Sequence, residues 1–241
     1  MGPVSTAEVD RLTRRAGFVF AGEVVRTSAS TVELVEATKE TAVVRVERVL
    51  QAPDDLGAER GSDVTVRVRS PVRKGQRAVF FTVGWVAAEG LAVQEIGRQA
   101  AGDAAEMEKQ MGEVRRKDEL AALRRRVKEA HAVAVGKVAD TKPVRKERPP
   151  ASEHDPIWRT AVVVVESGEK GDMKEGERVE VAYASSDDVM WFRAPKPAPG
   201  DRAVFLMHRR RLEEVDVEML AVVEPLDMQP AERLDEIRRA I

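Results

Sequence analysis

The chain has 241 residues, of which 43% are hydrophobic and 34% charged, with a formal net charge of −2. Interspersed, balanced charge argues against a global attraction to nucleic acid or anionic membrane, and the absence of cysteine excludes disulfides, thiol catalysis and cysteine-based metal sites. No stretch approaches the roughly 20 apolar residues needed to cross a bilayer, so the expectation is a soluble protein without membrane insertion, in one large or two small domains.

In chain order, the segment 1–15 lacks an apolar core of signal-peptide length. A cytoplasmic protein is therefore expected, or an exported one if a leader was trimmed ahead of Met1-Gly2-Pro3. Strands are predicted over 18–26, 41–50, 64–68, 77–83 and 91–96. Val64, Val66 and Val68 alternate with Thr65, Arg67 and Arg69, the period of a half-buried strand. Gly22 interrupts the first strand, as at a bulge or barrel corner. A helix rich in Ala, Glu, Lys, Arg, Met and Leu follows over 99–130. Five further strands are predicted over 132–138, 160–166, 178–184, 202–207 and 217–224, and a short helix over 230–240 carries the stripe Leu234, Ile237 and Ile241.

The second strand set repeats the first. Thr41-Ala42-Val43-Val44-Arg45-Val46-Glu47 returns as Thr160-Ala161-Val162-Val163-Val164-Val165-Glu166. Gly22 corresponds to Gly136, Gly61 to Gly176, Gly75-Gln76-Arg77-Ala78-Val79-Phe80 to Gly200-Asp201-Arg202-Ala203-Val204-Phe205, and Leu91-Ala92-Val93 to Leu220-Ala221-Val222. The blocks keep one order and their spacing drifts only in segments that read as loops, so the chain holds one fold twice. Short strands separated by Gly and Pro turns, five to a copy, predict a mainly β protein of two tandem five-stranded OB-like barrels joined by a long helix. A seven-stranded sandwich would need more strands than each copy supplies. The expected division is a first barrel with an N-terminal helix over 1–98, a connecting helix over 99–130, and a second barrel with a C-terminal helix over 131–241.

The runs F-V-F-A-G-E-V-V at 18–25, T-A-V-V-R-V-E-R-V-L at 41–50 and K-G-Q-R-A-V-F-F at 74–81 resemble the netrin-like OB modules related to tissue inhibitors of metalloproteinases. That resemblance implies the barrel fold. The family's inhibitors present an N-terminal cysteine to a protease metal, and this chain has no cysteine, so the resemblance does not extend to inhibition.

On the connecting helix, Met107, Met111 and Val114 share one face, whereas Leu120, Leu123 and Val127 form a second stripe. At about 100° per residue, Leu123 falls nearly opposite Met107. The helix is expected to bury its first half against one body and its second half against another, as a shared strut or as two shorter helices.

No chemistry-bearing motif emerges. His131, His154 and His208 lack metal-ligand spacing, and nucleophile-elbow, phosphate-loop and dinucleotide patterns are missing. Asp54-Asp55 and Asp187-Asp188 read as turn formers. No enzyme, cofactor or metal is expected. Phe18, Phe20, Phe80 and Phe81 read as core, and the basic clusters Arg115-Arg116-Lys117, Arg124-Arg125-Arg126 and Arg209-Arg210-Arg211 are interleaved with acids, which weakens the competing reading of a single-strand nucleic-acid binder.

The candidate contact surface is the run Met190, Trp191 and Phe192 with Pro195 and Pro197, in a connection longer than its counterpart in copy one. Copy two also lengthens its first hairpin over 142–156. Binding tends to reside on loops carried by a rigid scaffold, and Trp and Met are enriched at interfaces. The expectation is an interaction or assembly module whose partner is another protein.

Overall fold

The structure, a computed structural model, describes residues 6–53, 60–87, 90–100, 102, 104–144, 154–188, 190–213 and 215–241, with backbone alone at 85–87. The pair Asp54-Asp55 lies outside the described residues. The chain divides into two compact units, Met1–Asp118 and Glu119–Ile241.

The first unit holds α1 (Thr6–Arg15), β1 (Phe18–Thr27), β2 (Thr41–Gln51), β3 (Asp63–Arg67), β4 (Arg77–Ala87), β5 (Leu91–Ala100) and the first half of α2 (Ala104–Glu129). Its strands close into a barrel in the order β1-β2-β3-β5-β4. Neighbours are antiparallel except β3 and β5, which run parallel.

The second unit holds the rest of α2, then β6 (Ala132–Pro143), β7 (Trp158–Lys170), β8 (Arg178–Ala184), β9 (Arg202–Leu212), β10 (Val217–Ala221), β11 (Met228–Pro230) and α3 (Leu234–Arg238). Its sheet runs β10-β8-β7-β6-β9-β11, and β10 also pairs with β9. Five strands therefore form a ring in the same order as in the first unit, again with one parallel pair, β8 and β10. The extra strand β11 lies along β9.

Alternation sends one set of side chains into each barrel and the other set outward. The first interior contains Phe18, Phe20, Val24, Val44, Val46, Val64, Val66, Phe80 and Val93. Phe20 stacks between Phe18, at 4.8 Å, and Phe80, at 5.5 Å. In the second interior Ala132 and Ala134 replace Phe18 and Phe20, while Tyr183 replaces Val68 and Met207 replaces Thr82. Bulk removed from one strand is restored from two others, as close packing at fixed total volume demands.

Gly22 and Gly136 occupy equivalent bends. A Cβ on Gly22 would lie 2.5 Å from the Arg45 carbonyl oxygen, and one on Gly136 would lie 2.5 Å from Val163 Cγ1. The pairing register shifts beside each of them. Only glycine permits the crossing strand to come this close.

Each unit has a second apolar cluster outside its barrel. In the first, Val9, Leu12 and Ala16 of the α1 region join Val19, Ala21, Val79, Phe81 and Met111. In the second, Leu123, Val127 and Ala130 join Val133, Val135, Val204, Leu206, Ile237 and Ala240. Val9, Ala16 and Val19 thus correspond to Leu123, Ala130 and Val133. The first half of α2 plays for the first unit the part that α3 plays for the second, and its second half plays the part of α1.

Several boundaries differ from the sequence expectation. Gln99 belongs to β5, which runs on to Ala100 and pairs Gln99 with Val79; ladder hydrogen bonds override the helical preference of this run. The helix starts at Ala104 and is one continuous element. The final strand stops at Ala221, and a 3-10 turn at Pro225–Asp227 separates it from β11. Because α3 ends at Arg238, the C-terminal stripe is Leu234, Ile237 and Ala240, while Ile241 is 53% exposed.

Candidate partner-binding surface

The connection between β8 and β9 is fixed by polar groups before any apolar side chain is considered. The Ser185 amide donates to the Ile157 carbonyl at 2.8 Å, and the Ile157 amide donates to Ser186 Oγ at 2.6 Å. Asp188 organises the next turn. Its carbonyl accepts from the amides of Trp191 and Phe192, Oδ1 accepts from the Met190 amide at 2.8 Å, and Oδ2 lies 2.9 Å from His154 Nδ1. Lys196 Nζ donates to the carbonyls of Ala184 (2.9 Å), Ser186 (2.6 Å) and Trp191 (3.1 Å). One ammonium thus satisfies three carbonyls, one at the end of β8 and two in the connection after it.

Under this turn lies an aromatic floor. Trp191 meets Trp158 edge to face at 5.8 Å, and its indole N–H donates to the His154 carbonyl at 2.9 Å. The Arg210 guanidinium lies 5.7 Å from the Trp158 ring centre and 6.0 Å from that of Trp191, a distance at which a cation is drawn to the ring face. Trp158 is buried with Val144, Ala184, Leu212, Val215 and Ala221.

The expected contact residues therefore separate. Pro195 and Pro197 are buried, and Trp191 is half-buried against the cluster around Trp158. Met190 is 70% exposed and Phe192 54% exposed. Ile157, tied to the same connection, is 51% exposed, and the Arg193 guanidinium lies 5.4 Å from the Phe192 ring centre. Ile157, Asp188, Lys196 and Arg210 were not legible as parts of this surface. Ile157 immediately precedes β7, outside any alternating run; Asp188 reads in the sequence only as a turn former and does organise the turn, while Lys196 and Arg210 depend on contacts distant in sequence.

The helix residues are placed within their own units. Met111 and Val114 are buried and Met107 half-buried in the first, whereas Leu123 and Val127 are buried and Leu120 half-buried in the second.

Titratable groups elsewhere serve structure. Asp227 is fully buried and bound by Arg126, with Nη2 at 2.6 and 2.8 Å from its two oxygens and Nε at 2.9 Å from Oδ1. Oδ2 accepts from the amides of Val223 and Glu224, both at 2.9 Å. His208 Nε2 approaches Oδ1 at 3.3 Å without hydrogen-bond geometry. Burial pushes the Asp227 carboxyl up, but the His208 approach, the two amides and Arg126 outweigh it and hold it below its ordinary value. In the first unit Glu95 and Arg98 form a buried pair at 3.1 Å. There burial wins over the Arg98 charge and raises the Glu95 carboxyl.

His131 Nε2 faces Arg209 Nε at 3.1 Å. Among the described residues no group of three or more His, Asp or Glu is arranged to hold a metal ion, and no helix is long and apolar enough to cross a membrane. No protein-family model matches the chain, and no curated protein matches it either.

Proposed function

We propose that the chain is a non-enzymatic interaction module built on a duplicated OB-type barrel, and that the second copy engages another protein through Met190, Phe192 and Ile157 above the Trp191 floor. One observation carries this reading: large apolar side chains stand exposed on a turn whose backbone is pinned by Asp188 and Lys196. An ordered turn presents its anchors without a large entropic loss on binding. Burying side chains of this kind contributes about 1.5–3 kcal/mol each. The ring order of both units, with its parallel third and fifth strands, supports the OB type and agrees with the netrin-like resemblance in fold alone. Cytoplasmic and exported settings both fit this reading.

The test is capture from source-cell lysate with the full chain as bait, wild type beside Met190→Ser/Phe192→Ser. These positions are exposed, so the variant should stay folded by circular dichroism. A protein retained by wild type and lost with the folded variant supports the reading. Equal retention by both baits removes this surface from it.

Single-strand nucleic-acid binding is the second reading, favoured by the guanidinium of Arg193 beside the exposed ring of Phe192. It requires affinity for an unstructured oligonucleotide that falls steeply with salt and weakens with Phe192→Ser. Nearby Asp155 and Asp187 oppose such binding.

A further inference from the structure

We infer that Met190 is a modification site, a thioether set out for reversible oxidation to the sulfoxide by hydroperoxides, and that this oxidation switches off the apolar surface around it. The switching part rests on the binding reading above; the modification itself does not.

Three observations support it. First, the methionines differ sharply in access. Met111 and Met207 are fully buried. Met107, Met173, Met219 and Met228 are half-buried and packed against apolar clusters. Among the described residues Met190 alone is exposed, at 70%. Second, the turn beneath it does not depend on its side chain. The Met190 amide is held by Asp188 Oδ1, and the neighbouring amides of Trp191 and Phe192 by the Asp188 carbonyl. These bonds involve the backbone and Asp188, so adding an oxygen to the sulfur leaves them in place. Third, the modification changes the property that matters at this position. A sulfoxide is polar and a strong acceptor, so a flexible apolar anchor beside Phe192 becomes a group that resists desolvation.

The chemistry balances with a hydroperoxide as the only co-reactant. A lone pair on sulfur attacks the distal peroxide oxygen, the O–O bond breaks and an S–O bond forms. The departing hydroxide or alkoxide takes up the proton and leaves as water or alcohol. Sulfur loses two electrons and the peroxide gains them. Methionine sulfoxide reductases reverse the change.

The experiment is a hydrogen peroxide time course on the full chain, followed by peptide mass mapping. The expected result is that Met190 gains the mass of one oxygen before Met107, Met173, Met219 or Met228, with Met111 and Met207 unchanged while the protein stays folded. Oxidation of any half-buried methionine as early as Met190, or a Met190 that stays reduced, overturns the site. A second arm reads the surface with the hydrophobic fluorescent dye bis-ANS, comparing each protein with itself before and after peroxide. Wild type should lose dye fluorescence and regain it with the reductase, while Met190→Leu keeps its own starting signal. An equal loss in Met190→Leu overturns the switch. If Met190 oxidises first but Phe192→Ser leaves dye binding unchanged, the binding reading fails and the modification site stands.

Discussion

The two barrels share a strand order but differ in the side chains and connections built on it. In the first unit the connection between β1 and β2 folds onto its own barrel. The buried hydroxyl of Thr65 accepts from the Thr31 amide at 2.8 Å and meets the hydroxyls of Thr31 at 2.9 Å and Ser30 at 3.3 Å. Val32 and Val35 then bury against Ala92. In the second unit the residue equivalent to Thr65 is Glu180, an exposed carboxylate paired with Lys142. Beside it the described residues, among them Val144, Thr160 and Met219, line a groove of about 470 Å³. The connections between the third and fourth strands differ in length. In the first unit Arg98 holds a short connection, donating to Ser70 Oγ at 2.6 Å and to the carbonyls of Ser70 and Pro71. In the second unit Lys196 holds a long one that carries Trp191 and exposes Met190 and Phe192. The frame is held by the same packing in both units, and in each a cationic side chain, buried Arg98 or exposed Lys196, satisfies the carbonyls of the connection that differs.

The comparison can be broken most strongly in the cores. Phe80→Ala should cost about 3–5 kcal/mol by denaturant unfolding, and Phe205→Ala less by roughly 0.5–1.5 kcal/mol because only Phe80 belongs to a ring stack. Equal losses would mean that the second interior replaces the stack fully.

Asp227→Ala leaves Arg126 without its buried partner and should destabilise the second unit by about 3 kcal/mol. Hydrogen exchange read segment by segment should confine the loss to 119–241.

The buried carboxylates also predict opposite pH responses. Asp227 has a lowered folded value, so its contribution is present above the unfolded value of 3.8 and is lost as pH falls through the folded one. Glu95 has a raised folded value, so its contribution is full below 4.5 and is lost as pH rises through the folded one. Acidification should therefore weaken the second unit while relieving Glu95 in the first. Hydrogen exchange at pH 3 should show the second unit opening first, and Asp227→Ala should flatten that dependence.

Thr65→Val removes the acceptor of one amide and two hydroxyl contacts, with an expected loss of about 1–2 kcal/mol confined to exchange across 28–35. The smallest effect belongs to the proposed contact surface. Met190→Ser/Phe192→Ser should change stability by within about 0.5 kcal/mol, because both side chains are mostly in water.

The repeat, the strand alternation and the glycines that permit close crossings are local, periodic features, so the duplication, five strands to a copy and the long helix between them are legible from residue order. It also marked the segment 190–197 as unusual. Tertiary structure decided the rest, because the remaining choices depend on partners distant in sequence. Gln99 is strand because Val79 lies opposite it, and Asp227 is buried because Arg126 reaches it from α2. Lys196 reaches the carbonyls of Ala184, Ser186 and Trp191, and in the connection so held Pro195 and Pro197 are buried while Met190 and Phe192 are exposed. Residue type and spacing carry the period of an element; which of its side chains remain in water is set only when another element arrives.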